Sequence, residues 1–294
     1  MGKKNQNGPS GVLVIDKPAG CTSHDVVARV RRRLQTRKVG HCGTLDPMAT
    51  GVLVVVVGEA TKLVPYLTAE DKRYTARLRL GVATDSLDAD GEQTDVQEVP
   101  ELDLDALRSF ASGFVGPHKQ RAPRVSAIKV DGRRLHEMAR KGEEFEAPER
   151  DVILHSVEVT AYEAPELALE LHAAKGFYVR SFGRDLAAAA GTLGHLVELR
   201  RVSSGSFSLE QAVPLDETLD VSALHSLESA LEHVMPLVSL DEQQYVDARH
   251  GRIVSGIDIN GHVGLVREGN LVAIANSDAG SAKILRGFRT PEPA

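Results

Sequence analysis

Two hydrophobic periods alternate along the chain, and the changes between them mark its elements. Gly11 to Asp16 (GVLVID) and Val52 to Val57 are continuous apolar runs of strand length, the pattern of buried strands. Arg73 to Leu80 follows a period of two, with Tyr74, Ala76, Leu78 and Leu80 on one face and Arg73, Thr75, Arg77 and Arg79 on the other. Between the first two runs, Val26, Val27, Val30 and Leu34 form a helical stripe after a cap at Thr22 or Ser23. A helix to about Leu34 is therefore expected, with its arginines mostly turned away from the stripe. Asp85 to Asp105 reads as an acidic loop leading to a helix near Leu104 to Ser112. Val125 to Val130 reads as a short strand and Arg133 to Lys141 as a basic helix. Asp151 to Tyr162 and Leu167 to Ala174 read as paired strands, followed by a helix after Ser181 and an extended segment from Glu198 to Phe207. After Pro236, short apolar runs such as Val263 to Val266 and Leu271 to Ala275 alternate with glycine-containing turns, which predicts a small all-β C-terminal domain. The order of elements over the first two thirds is that of an α+β chain, not a strict doubly wound one.

Composition narrows this picture. A chain of 294 residues suggests two domains, and 42% hydrophobic content supplies a core. Cys21 and Cys42 are too few for a disulfide framework and fit a reducing compartment. The polar start MGKKNQNGPS lacks an apolar signal core, and the longest apolar run is far too short to cross a bilayer, so a cytoplasmic protein without a membrane partner is expected. The net charge of −6 is unevenly spread. Arg29 to Lys38 holds six basic residues and no acid, Lys119 to Lys141 holds eight against two acids, and Asp85 to Asp105 holds nine acids and no base. A polyanion responds to such local basic surfaces and not to the total.

Candidate chemistry is sparse. No P-loop and no G-x-G-x-x-G is present. Ser86 to Gln97 faintly resembles a calcium loop, but Ser86 holds the first ligand position and Gln97 the last. His41 beside Cys42 lacks a second ligand pair for zinc, and Ser204-Gly205-Ser206 is no nucleophile elbow. What stands out is GHCGTLDPMATG, Gly40 to Gly51, where one carboxylate, Asp46, is wrapped in turn residues. Pro47 pushes Asp46 out of the helical region, and the glycines allow sharp turns and close approach of a bulky ligand. Such a loop either presents one acid at a fixed angle or uses Asp46 to cap its own turn through Thr44 or Thr50.

GHCGTLDPMATGVL resembles the catalytic motif of the TruB family of pseudouridine synthases. GVLVIDKPAGCTSHDVV, DKRYTARLRLGVATDSLDADG, KGFYVRS and LRRVSSGSF are similar to further motifs of that family, in the same order from Gly11 to Phe207. The resemblance implies isomerisation of uridine to pseudouridine in the T loop of tRNA, without metal or cofactor and with no obligate protein partner. It implies a pseudouridine synthase fold, with a mixed and largely antiparallel central sheet flanked by helices. The expected division is a tail over 1–10, a catalytic domain over 11–235 carrying a basic insertion at about 118–147, and a PUA-like domain over 236–294.

It also assigns roles. Asp46 aligns with the catalytic aspartate and Tyr74 with the aromatic that stacks on the flipped uracil. Arg180 approaches Asp46 as a bidentate partner. Tyr178, two residues away in what reads as an extended segment, lines the same pocket. Leu199 lies under the base, His41 contacts the RNA loop, and Lys17 and Pro18 buttress the active-site loop. Lys119, Arg133, Arg134, Arg140 and Lys141 grip the T-arm stem-loop. The insertion departs from the family pattern at Ala122-Pro123-Arg124-Val125-Ser126-Ala127, at His136 and at Met138, which bears on RNA contacts and not on the chemistry. Two rivals stay open: a guide-RNA-dependent, dyskerin-like subunit, and a tRNA-binding folding chaperone without turnover.

Overall fold

The structure, a computed structural model, describes residues 8–126, 129–130, 133–135, 138, 143 and 145–289. Its centre is a ten-stranded sheet, built around the order β14-β1-β3-β12-β4-β11-β10-β7 with β2 beside β3 and β13 beside β12. The strands are β1 (Gly11–Lys17), β2 (Val39–His41), β3 (Thr50–Val57), β4 (Lys72–Leu80), β7 (Gly116–Arg121), β10 (Glu149–Glu163), β11 (Glu166–Ala173), β12 (Gly194–Ser204), β13 (Phe207–Ser208) and β14 (Val213–Pro214). Most pairs are antiparallel. β1 with β14 and β3 with β12 are parallel, so the sheet is mixed, as expected.

The two hydrophobic periods reflect two environments. One face of the sheet carries α1 (Ser23–Arg33), α3 (Leu104–Ser112) and α4 (Val179–Ala189), packed over Leu13, Ile15, Leu53, Leu78 and Leu154. The opposite face of β1 and β3 is covered as well, by a second cluster that joins Val12, Val14, Val52, Val54 and Val56 to Leu63, Ala230, Leu231, Leu271 and Ile274. Strands covered on both sides read as unbroken apolar runs. β4 is covered on one face only, so Arg73, Arg77 and Arg79 stay exposed while Ala76, Leu78 and Leu80 are buried. α1 begins at the expected cap: Thr22 and Asp25 form a reciprocal capping box, and Val26, Val27 and Val30 turn inward. A short α2 (Val64–Leu67) follows β3.

Three expectations are corrected. The acidic stretch is not all loop, because β5 (Val82–Thr84) pairs with β6 (Gln93–Val96). The basic helix does not begin at Arg133: Arg133–Arg134 forms β9, paired with β8 (Lys129–Val130) within the expected strand, and helix is found only from Leu135, while Arg140 and Lys141 lie outside the described residues. The C-terminal unit is not all β. Its five-stranded sheet, in the order β15-β17-β18-β19-β16, contains β15 (Leu237–Ser239), β16 (Val254–Ser255), β17 (Gly261–Arg267), β18 (Asn270–Asp278) and β19 (Ser281–Gly287). It also carries the helix α5 (Glu242–Arg249), capped by Asp241.

This sheet has its own core around Val254, Ile257, Val263, Leu265 and Ala275. It also docks on the segment after β3, where Lys62 donates to the Gly287 carbonyl at 2.7 Å. Among the described residues no helix is long and apolar enough to cross a membrane.

Candidate active site

The Asp46 loop lies between β2 and β3, at the edge where β3 meets β12, and four anchors hold it, three of them buried side chains. Ser23, the first residue of α1, accepts from the Leu45 amide at 2.9 Å and donates to the Leu45 carbonyl at 3.1 Å. Lys17, at the end of β1, is fully buried and spends its ammonium donors on the Pro18, Pro47 and Ala49 carbonyls at 2.9, 3.2 and 2.6 Å. Burial lowers its pKa, while charges that include Asp46 act the other way. Gly20 donates to the Pro47 carbonyl at 2.9 Å. Arg201 of β12 reaches the Val52 carbonyl at 2.7 Å and the Gly43 carbonyl at 3.1 Å. Gly51 has φ of +97° and lies against the Arg201 backbone, where any Cβ would collide with the Arg201 carbonyl. Only glycine permits this approach of β3 to β12.

Within this frame the carboxylate does not cap its own turn. Arg180 meets Asp46 at two points: Nη2 donates to Oδ1 at 3.0 Å and Nε lies 2.9 Å from Oδ2, a forked ion pair. The guanidinium is 4% exposed and the Asp46 side chain 32%, so the pair is closed on the arginine side and open on the aspartate side. The guanidinium also donates from Nη1 to the Ser86 carbonyl at 2.7 Å and from Nη2 to the Val125 carbonyl at 3.0 Å, and Nη1 forms an ion pair with Asp88 Oδ2 at 3.3 Å. Buried and ringed by these acceptors, the guanidinium faces protein groups and not solvent.

Asp88 is the site residue that sequence reasoning missed. It is buried, accepts from the Ser86 hydroxyl at 2.5 Å, and sits on the far side of the guanidinium from Asp46. Burial pushes its carboxyl above the usual range, Ser86 and Arg180 pull it back, and Asp46 adds to the rise. The signal was present in the faint calcium-loop spacing of Ser86, Asp88 and Asp90. The cation that this loop meets is the Arg180 guanidinium.

Register places the other candidates. Gly51 pairs with Arg201, Arg201 with Tyr74, and Leu199 with Ala76. Tyr74 is thus two strand spacings from the end of the Asp46 loop, about 10 Å in the sheet. It shares a face with Leu199 and is half-buried against the same core as Met48 and Leu45. His41 ends β2. Its Nδ1 is buried without a hydrogen-bond partner, and its ring stands edge-on to His24 at 5.4 Å. Burial lowers its pKa, with His24 and Arg201 adding to the effect.

Tyr178 requires a correction. It is not in an extended run with Arg180, because it forms the N-cap of α4 and Arg180 lies inside the first turn. Gln120 holds both its backbone groups, donating to the Tyr178 carbonyl at 3.1 Å and accepting from its amide at 2.9 Å. The Tyr178 ring packs with Phe145 and Met138 against Ala122, Leu135 and Ala147, and burial raises the phenol pKa.

The basic candidates are scattered. Lys119 is exposed on β7 opposite Asp151, Arg133 is exposed and paired with Glu143 at 2.5 Å, and Arg134 pairs with Lys129 in the β8–β9 ladder.

The model of the "TruB family pseudouridylate synthase (N terminal domain)" matches residues 31–179, and that of the "tRNA pseudouridylate synthase B C-terminal domain" matches residues 180–240. The chain is 41% identical over 282 residues to a protein of Thermobifida fusca (strain YX) named tRNA pseudouridine synthase B, covering 93% of this chain and 96% of that one. It is 39% identical over 287 residues to the protein of the same name from Geobacter sulfurreducens, covering 92% of this chain and 94% of that one. Among solved structures, the Cbf5-Nop10-Gar1 complex contains a chain of the same fold. The TM-score is 0.71 at 24% identity, covering 98% of this chain and 91% of that one. The match of the family model to half of this chain, together with relatives of this identity along nearly its whole length, shows that the chain belongs to the TruB family of pseudouridylate synthases.

Proposed function

We propose that this protein isomerises uridine to pseudouridine in the T loop of tRNA, with Asp46 as the reacting carboxylate. The observation that carries the reading is the forked Arg180–Asp46 pair, set in a loop anchored at Gly43, Leu45, Pro47 and Ala49. The relatives' printed name supplies tRNA as the substrate.

The reaction breaks the bond from ribose C1′ to uracil N1, turns the base and joins C1′ to C5. No atom is gained or lost, so one carboxylate acting at the sugar, as nucleophile or as base, suffices. Its reach depends on placement, which the fork and the four anchors provide, and accurate placement of a reacting group is worth several kcal/mol. The uridine must leave its stack to reach Asp46. Tyr74 then stacks on the base, a contact worth about 1–3 kcal/mol. Leu199, on the same face, supports it from below. Tyr178 walls the site from the insertion side, and His41 meets the RNA loop. The segment at about 118–147, with Lys119, Arg133, Arg134, Arg140 and Lys141, holds the T-arm stem-loop. The C-terminal sheet, a PUA-like unit beginning near Pro236, meets the end of the tRNA.

The test is to incubate an unmodified T-arm transcript with the purified chain alone and map pseudouridine. A single modified T-loop uridine is expected. Conversion only with an added guide RNA, or binding without conversion, would overturn the reading.

A further inference from the structure

We propose that Asp71, His155 and His172 form a binding site for a divalent transition metal of the zinc type, on the side of the central sheet away from Asp46. The backbone brings the three together by a specific device. β10 and β11 slip register between Leu154↔Ala173 and Ser156↔His172, which leaves His155 as the extra residue of a β-bulge beside His172. Bulges re-aim a side chain, and here the two imidazoles come to 4.7 Å between ring centroids. Asp71 immediately precedes β4, whose Arg73 is the register partner of His172. One carboxylate oxygen, Asp71 Oδ2, faces both rings, at 3.1 Å from His155 Nε2 and 3.6 Å from His172 Nε2. All three donor atoms lie within 4.8 Å of one another.

Tetrahedral zinc with bonds of about 2.0–2.1 Å holds its ligands about 3.3 Å apart, and the two observed separations straddle that edge. Two imidazoles and one carboxylate are a donor set for zinc, nickel or cobalt and not for magnesium, which prefers oxygen alone. The side chains are 46%, 35% and 25% exposed for Asp71, His155 and His172, so an ion has direct access and water can take the fourth position. His172 shares the solvent face of β11 with Glu170, opposite the face of Leu171 and Tyr74. The metal would take no part in the isomerisation; it would tie the start of β4 to β10 and β11.

The experiment uses the full, untagged chain, stripped with chelator and dialysed against zinc chloride with magnesium in excess. One zinc per chain is expected to bind and to raise the thermal midpoint. His155→Ala and His172→Ala should each weaken binding by at least ~100-fold, because loss of even an outer partner of a ligand costs about 10–100-fold. The metal-free midpoint of His155→Ala serves as the folding control and should match that of the metal-free wild type. No zinc bound by the wild type, or equal binding by a folded His155→Ala chain, would overturn the proposal. In either case the three residues form only a carboxylate–imidazole contact.

Discussion

Arg180 sits between two carboxylates, so its replacement separates placement from charge. Arg180→Lys keeps a cation between Asp46 and Asp88 but loses the fork. The chain should fold and bind tRNA, while the single-turnover rate falls by orders of magnitude and is not recovered at saturating tRNA. Full recovery would remove Arg180 from the reaction. Arg180→Met leaves Asp88 buried and unpaired, and breaking a buried pair costs about 3–5 kcal/mol. Asp88→Asn in the same chain should return part of that loss in denaturant unfolding; strictly additive effects would contradict the shared-guanidinium arrangement.

The pairing of Asp46 with Arg180 was legible in the motifs. Asp88 was not, because its charged partner Arg180 lies far along the chain, and its local bond to Ser86 reads only as a faint calcium loop. The geometry of Tyr178 was misread for a related reason. The chain leaves β11 through Gly176 at φ +85°, and the side chain of Gln120, 58 residues away, then takes both backbone groups of Tyr178. Residue spacing cannot reveal that a helix starts there.

At the scale of elements, the strands that could be read were those with a buried face. β1, β3, β4, β10 and β11 announced themselves by apolar run or alternation. β6 is exposed at every position and β7 at every second one, so neither carried a hydrophobic signal. The junction of β3 with β12 rests on Gly51. Gly51→Ala should destabilise the chain by at least ~2 kcal/mol, since a strained left-handed residue alone costs about 1–3 kcal/mol and a clash with the Arg201 carbonyl is added here. An unfolding midpoint equal to wild type would show that the two strands can part freely.

The start of β4 makes a pH-dependent prediction. Burial, with Arg201 adding to it, lowers the Lys72 pKa from 10.5 to about 8. Above pH 8 the native lysine is neutral while the unfolded one still holds its proton, so unfolding takes up a proton and this contribution to stability rises with pH. Cys42, raised from 9.0 to about 11 by burial, opposes it above pH 9, because there the native thiol keeps a proton that the unfolded chain has lost. The clean window is pH 8 to 9. Across it, wild type should gain stability relative to Lys72→Met in denaturant titrations, and a constant difference would contradict the shifted lysine.

At the scale of the whole molecule, a net charge of −6 coexists with a polyanionic substrate only if the basic segments meet the RNA. Neutralising Arg133, Arg134, Arg140 and Lys141 should flatten the salt dependence of tRNA binding, by about 0.7–0.9 in the log–log slope for each phosphate that is no longer neutralised. An unchanged slope would mean that this segment binds no RNA. The change of pattern near Pro236 marks where the five-stranded sheet begins, although α5 and the core shared with β1 and β3 were not legible.

The proposed isomerisation rests on one carboxylate. Its most direct test is the single-turnover conversion of a T-arm transcript by wild type and by Asp46→Asn, with tRNA affinity measured on the same preparations. Asn keeps the shape of Asp46 and removes its charge. No pseudouridine is expected from the variant, with tRNA affinity close to wild type. Appreciable pseudouridine from a verified Asp46→Asn chain would contradict it.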